Sequence, residues 1–174
     1  MRFLAYPYVG PEEIRRRSSD ALAGTPVSSL RDVRDWLAAN PDALVEGATY
    51  VVDLRGSLRL APRRSEHVAC ASGEEVLAAG EIRFRDDSPQ PSVVEVTNLS
   101  TGYCPDVTCW AAVEGALNRA GLRPPSGFTT KMLFRRCTAC GQVTLVKDGW
   151  FVCVFCDADL SSSWNVGARR EVGD

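Results

Sequence analysis

Four of the chain's seven cysteines fall in two pairs, Cys137-x-x-Cys140 and Cys153-x-x-Cys156, with twelve residues between the pairs. Within each pair the backbone can turn so that both thiolates face one ion, and a hairpin joining the pairs completes a tetrahedral set of four sulfurs. Four thiolates leave no open coordination position, so the expected cofactor is one structural Zn2+ held by Cys137, Cys140, Cys153 and Cys156. A redox-active dithiol is the alternative, but it needs neither a second pair nor a hairpin. The intervening residues suit the hairpin: Val143 to Val146 reads as one strand, Trp150 to Val152 as the other, and Lys147-Asp148-Gly149 as the turn. Gly141 follows the first pair, where a left-handed backbone is often needed. Trp150 and Phe151 are expected to cover the small core of this unit. Stacking on bases is their other reading, and the few basic residues nearby argue against nucleic acid.

A second set of chemically capable residues lies in two polar loops, Ser65 to Gly73 and Asn98 to Pro105. His67 is the only histidine, the one side chain here whose ordinary pKa is near neutrality, and so a candidate proton carrier. Tyr103 and Ser100 supply hydroxyls and Glu66 a carboxylate, which together is what acid–base or group-transfer chemistry requires. A lone histidine beside a strand also serves as a hydrogen-bonded structural residue, and both readings stand at this stage. Cys70 alternates with apolar neighbours and reads as a small buried hydrophobe. Cys104 and Cys109 lack a second pair or a histidine nearby and make a poor metal site. They also miss the zinc-deaminase pattern.

The elements that must position these residues fall into four stretches: a helical segment over 1–46, an α+β main body over 47–127, the cysteine unit over 128–164, and a loose polar tail over 165–174. Glu12 and Glu13 suit a first helical turn after Pro11, with Gly24 as a stop. Ser29 caps a second helix, with Asp32 three residues on and Leu30, Val33, Trp36 and Leu37 on its inner face. In the body, Tyr50 to Leu54, Leu58 to Leu60, Val76 to Phe84 and Val93 to Val96 read as strands. Gly80 marks a bulge or close approach, Asp86 to Pro91 a loop, and 106–120 a helix closed by Gly121. The fold class expected is a curved, mainly antiparallel sheet with flanking helices plus a C-terminal four-cysteine zinc ribbon.

Composition narrows the partners. Hydrophobic content of 45% and charged content of 24% are those of a soluble globular protein. No run approaches the roughly 18 apolar residues of a membrane span, and the apolar N-terminus is broken by Pro7 and too short for a signal peptide. A cytoplasmic location is therefore expected, with no membrane partner. A net charge of −2 argues against general attraction to phosphate backbones. The basic runs at 15–17, 63–64 and 135–136 read as solvated surface.

Two resemblances add to this reading. Cys137-Thr138-Ala139-Cys140-Gly141 and Gly149-Trp150-Phe151-Val152-Cys153-Val154-Phe155-Cys156 resemble zinc ribbons, a class that includes nucleic-acid binders, protein adaptors and structural appendages. The segment from about Thr49 to Leu122 resembles the core of the plant IQ-motif calmodulin-binding protein family and its bacterial relatives. His67, Gly73 and Ala78-Ala79-Gly80 fall at that core's spacing, as do Ser100, Tyr103 and Pro105, followed by the helix through Trp110 and Leu117. Val68 and Ala69 stand where the family has two serines, and Gly102 where it has a histidine. No IQ-type helix is present, so calmodulin binding does not carry over. The resemblance implies that His67, Ser100 and Tyr103 share one pocket. The order His then Tyr is also similar to that of NAD-cradling residues in some ADP-ribosyl transferases, without their catalytic Glu motif. Two functions follow as expectations: a body that binds or transforms a small polar, nucleotide-like ligand, or an adaptor whose ribbon docks a protein or nucleic-acid partner.

Overall fold

The main body is built on β5, Val76–Arg85, the longest strand. Its first five residues are all buried and the rest alternate, the pattern of a strand covered on both faces at one end and on one face at the other. In the computed structural model, which describes residues 2–86 and 89–173, this strand lies in a five-stranded antiparallel sheet. The order is β2 (Thr25–Val27), β4 (Leu58–Pro62), β3 (Ala48–Asp53), β5 and β6 (Ser92–Val96). The turn between β3 and β4 is closed by the Asp53 carboxylate, which accepts from the backbone N–H groups of Arg55 and Ser57. The middle of the loop expected over Asp86 to Pro91 lies outside the described residues, as do Met1 and Asp174.

The helices cover the sheet. Helix α1 (Glu12–Arg17) continues as a short 3-10 turn over Ser18–Asp20 and buries none of its residues. Helix α2 (Leu30–Ala39) begins as expected, the Ser29 hydroxyl accepting from the Asp32 N–H, and buries Val33, Trp36 and Leu37. A single turn, α3 (Ala43–Glu46), leads into β3. Another, α4 (His67–Cys70), packs against β3 and β4. Helix α5 (Trp110–Arg119) crosses β3, β4 and β5, and Gly121, with φ of 75°, ends it in the left-handed region.

Two strands that the sequence pattern did not announce close the N- and C-terminal segments together. Phe3–Ala5 (β1) pairs with Arg170–Val172 (β9), so the stretch read as a loose tail carries a strand. The pairing is three residues long and mostly polar on the β9 side, too short to leave a periodic signal. The C-terminal cysteine unit adds β7 (Phe134–Arg136) and β8 (Val143–Leu145). Among the described residues, no helix is long and apolar enough to cross a membrane.

Gly80 is a close approach. A Cβ built there would sit 2.0 Å from the Thr97 carbonyl oxygen, where backbone cannot yield. That contact presses the start of the 98–105 loop onto the middle of β5. Gly80→Ala is therefore expected to destabilise the protein by at least about 2 kcal/mol in urea denaturation. A change within error of zero would show that the approach is looser than described.

Candidate metal centre

The Sγ atoms of Cys137, Cys140, Cys153 and Cys156 all lie within 4.8 Å of one another. Cys137 and Cys156 are 3.6 Å apart, as are Cys140 and Cys153. Four sulfurs placed tetrahedrally ~2.3 Å from one ion stand ~3.8 Å apart, so the donor set fits a tetrahedral, thiol-preferring metal. The local backbone is shaped for it. Gly141, φ 78°, and Asp157, φ 59°, take left-handed conformations just after the two pairs. The N–H of Gly141 donates to the Cys137 carbonyl and that of Asp157 to the Cys153 carbonyl. Backbone N–H groups also point at sulfur: that of Cys140, and then that of Ala139, pull the Cys137 thiol down to about 7, and that of Phe155 donates to Cys153 Sγ at 3.5 Å.

The strand pairing around this cluster differs from the expected hairpin. β8 pairs with β7, which precedes the first cysteine, at the register Arg135↔Thr144. The turn at Asp148-Gly149 does form, both residues at positive φ, but it closes only the isolated bridge Lys147↔Trp150. The second pair is closed by Val152↔Asp159. Phe151 is half-buried against the small core of Cys137, Cys153 and Leu160, with the Arg135 guanidinium 5.6 Å from its ring centroid. Trp150 is 73% exposed and lines one groove with Val154, itself 62% exposed, and the next residue along, Phe155, is 63% exposed.

The run Arg135-Arg136, read as solvated surface, ties the start of the unit to its end and to the chain that follows it. Arg135 is buried and donates to the carbonyls of Phe134, Ser161 and Ser162. Arg136 donates to the Val166 and Gly141 carbonyls. The Asn165 amide exchanges two hydrogen bonds with the Arg136 backbone. Trp164 then crosses to the body, its indole N–H donating to the Cys104 carbonyl at 2.7 Å and its ring meeting Tyr6 edge-on. Asn98, fully buried, completes the attachment: its side chain bonds the Pro105 carbonyl and both backbone groups of Met132. Charge patterning does not tell a buried arginine from an exposed one, which is why Arg135-Arg136 read as solvated surface, and a buried asparagine such as Asn98 leaves no mark in it.

The two polar loops meet across Gly80. His67, at the start of α4, has its Nε2 2.9 Å from the Gly80 carbonyl, which makes Nε2 the protonated nitrogen. Burial holds the imidazole below its ordinary range. The Arg63 charge acts the same way, while the Gly80 hydrogen bond acts against both. Ser100 and Tyr103 are buried together, the Ser100 hydroxyl accepting from the Tyr103 N–H. The Tyr103 phenol donates to the Glu74 carbonyl at 2.6 Å, and its ring packs on Tyr8. Burial raises its pKa. Glu66 is exposed. No hydrogen bond or ion pair joins His67 to Ser100, Tyr103 or Glu66 among the described residues. Cys70, Cys104 and Cys109 are buried with their pKa values raised by desolvation, as packed thiols are.

Comparison with family models, with curated proteins and with solved structures finds no match.

The His67 environment fixes a sign. Its folded pKa is depressed, so below about 6.5 the unfolded chain takes up a proton that the folded chain resists. The stability is present above that pH and is lost as pH falls toward the folded value. Urea denaturation on either side of pH 6.5 should show the wild type losing more stability on acidification than His67→Gln. Equal losses in the two proteins would contradict this.

Proposed function

We propose that this protein is a zinc-stabilised adaptor that docks a protein partner through the tip of its four-cysteine ribbon. Cys137, Cys140, Cys153 and Cys156 hold one structural Zn2+, which contributes folding free energy and offers no open position for hydrolysis. The observation that carries the reading is the exposure of three large apolar side chains of the ribbon, Trp150 and Val154 on one groove and Phe155 next to Val154 in the chain. Two of these apolar side chains lie within the second cysteine pair itself, where the chain could have placed polar residues at no cost to the metal. Aromatic side chains grouped in the open are characteristic of interface centres.

Charge selects the partner. Trp150 and Val154 border a shallow groove of about 320 Å³ whose charged rim is Lys147, Asp148 and Asp157. Neither aspartate has an ion-pair partner among the described residues. Two carboxylates against one ammonium disfavour a phosphate backbone and favour a protein surface with an apolar centre and basic edges.

A second reading gives the body a small-ligand site. What supports it is a groove of about 680 Å³ that reaches Ser65 and Glu66 of the first polar loop. His67 then acts as a post that holds this loop to β5, and Ser100 and Tyr103 hold the second loop behind it. The resemblance of the Thr49 to Leu122 segment to the IQ-motif family core belongs with this reading and supplies no reaction.

The adaptor reading is tested with the full zinc-loaded chain as bait. A partner captured by wild type should bind Trp150→Ser/Phe155→Ser at least roughly tenfold more weakly, at unchanged zinc content. It should also weaken with Asp148→Lys/Asp157→Lys and with added salt. Capture that is equal across all three proteins would sink the docking tip.

A further inference from the structure

The sheet is incomplete at one corner. β4 runs on through Ala61 and Pro62, while its edge partner β2 begins only opposite Leu60, at Thr25. The chain before Thr25 swings outward as α1 and its following turn, none of which is buried. The gap between them is the groove of about 680 Å³, within the range of small-molecule sites.

Its floor and rim differ in chemistry. Leu60, Ala61, Ala69 and Trp36 are buried along the floor, and Ala21 and Leu22 form the outer wall. Leu22 is 93% exposed and would gain cover from any occupant. On the rim stand Arg17 and Arg64. Their sequence neighbours are neutralised, Arg16 by Glu12 and Arg63 by Glu81. Arg17 and Arg64 have no hydrogen-bond or ion-pair partner among the described residues, and Glu66 is the single carboxylate lining the groove. Free guanidinium groups over an apolar channel are matched by an anion on a hydrocarbon body, because the planar fork takes a carboxylate with two parallel hydrogen bonds.

We propose that this groove binds a linear amphipathic carboxylate, its head held by Arg17 and Arg64 and its chain laid over Leu60, Ala61 and Trp36. This rests on the second reading above, that the body holds a ligand, and names the ligand's class. The affinity then has two separable parts. The head contributes a charge-dependent term, and each methylene on the floor contributes roughly a fourfold gain.

The test is calorimetric titration of the full zinc-loaded chain with decanoate below its micelle concentration. Decanol, decyltrimethylammonium, acetate and octanoate serve as comparators. Decanoate should bind, octanoate roughly fifteenfold more weakly, and acetate, decanol and the cation far more weakly still. Arg17→Ala/Arg64→Ala should weaken decanoate at least tenfold. Ala21→Trp, a change at an exposed wall position, should block the groove while leaving the circular dichroism spectrum unchanged. Binding of decyltrimethylammonium as tight as that of decanoate would overturn the proposal. So would decanoate affinity unchanged in both variants. If decanoate is inert and a nucleotide binds wild type but not Ala21→Trp, the ligand class is wrong and the groove remains the ligand site. Silence of decanoate and nucleotide alike counts against the ligand-bearing body as well.

Discussion

Four cysteine sulfurs are gathered within 4.8 Å at the surface of a small two-stranded unit, and the rest of that unit is organised around them. Phe134, Val143 and Leu145 of the unit pack on the core of the main body, so the separate buried core around the sulfurs amounts to Cys137, Cys153 and Leu160, with Val146, Phe151 and Ala158 packed alongside. So little apolar surface cannot offset the entropy of ordering the chain. The backbone here spends its conformational freedom on aiming sulfur: left-handed residues after each pair, and N–H groups directed at Cys137 and Cys153. Thiolates gathered in this way repel one another unless a cation lies between them. In isolated finger peptides, binding the cation is worth on the order of 10–16 kcal/mol. A metal held in this cluster would do the work that a core does elsewhere and would free Trp150, Val154 and Phe155 from packing duty.

Polar groups also hold the unit together and fasten it to the body. Arg135 gives its donors to three carbonyls, Asn165 pairs with the Arg136 backbone, and Asn98 satisfies three bonds between the 98–105 loop and the chain entering the unit. Trp164 adds a buried hydrogen bond to Cys104 and an aromatic contact with Tyr6. Removing any one of these partners leaves a buried donor or acceptor unpaired, which costs more than the bond itself contributes. These contacts tie the unit to the sheet, which the proposed docking role requires.

Much of this was legible in the sequence. The cysteine spacing announced the cluster, the β pattern of Val76 to Phe84 announced β5, and Gly80 announced the close approach that the Thr97 carbonyl makes. Ser29 announced its helix because capping is a local event. What escaped was decided by partners far apart in the chain. Val143 to Val146 and Trp150 to Val152 look like a hairpin with a fitting turn, yet β8 finds Phe134–Arg136, a stretch disguised by two arginines. The β1–β9 pairing and the role of Asn98 depend on contacts across the whole chain, which local periodicity does not encode. The exposure of Trp150 escaped for the same reason: the sequence shows that two aromatics sit together, and only the fold shows that Phe151 covers the core while Trp150 stays exposed.

The measurement that bears most directly on this account is X-ray absorption at the zinc edge of the purified chain, paired with metal analysis. The account predicts one zinc per chain, with a shell of four sulfurs at ~2.3 Å and no light-atom ligand. A chain that carries no stoichiometric metal, or whose Cys137, Cys140, Cys153 and Cys156 are found as two disulfides, would contradict it.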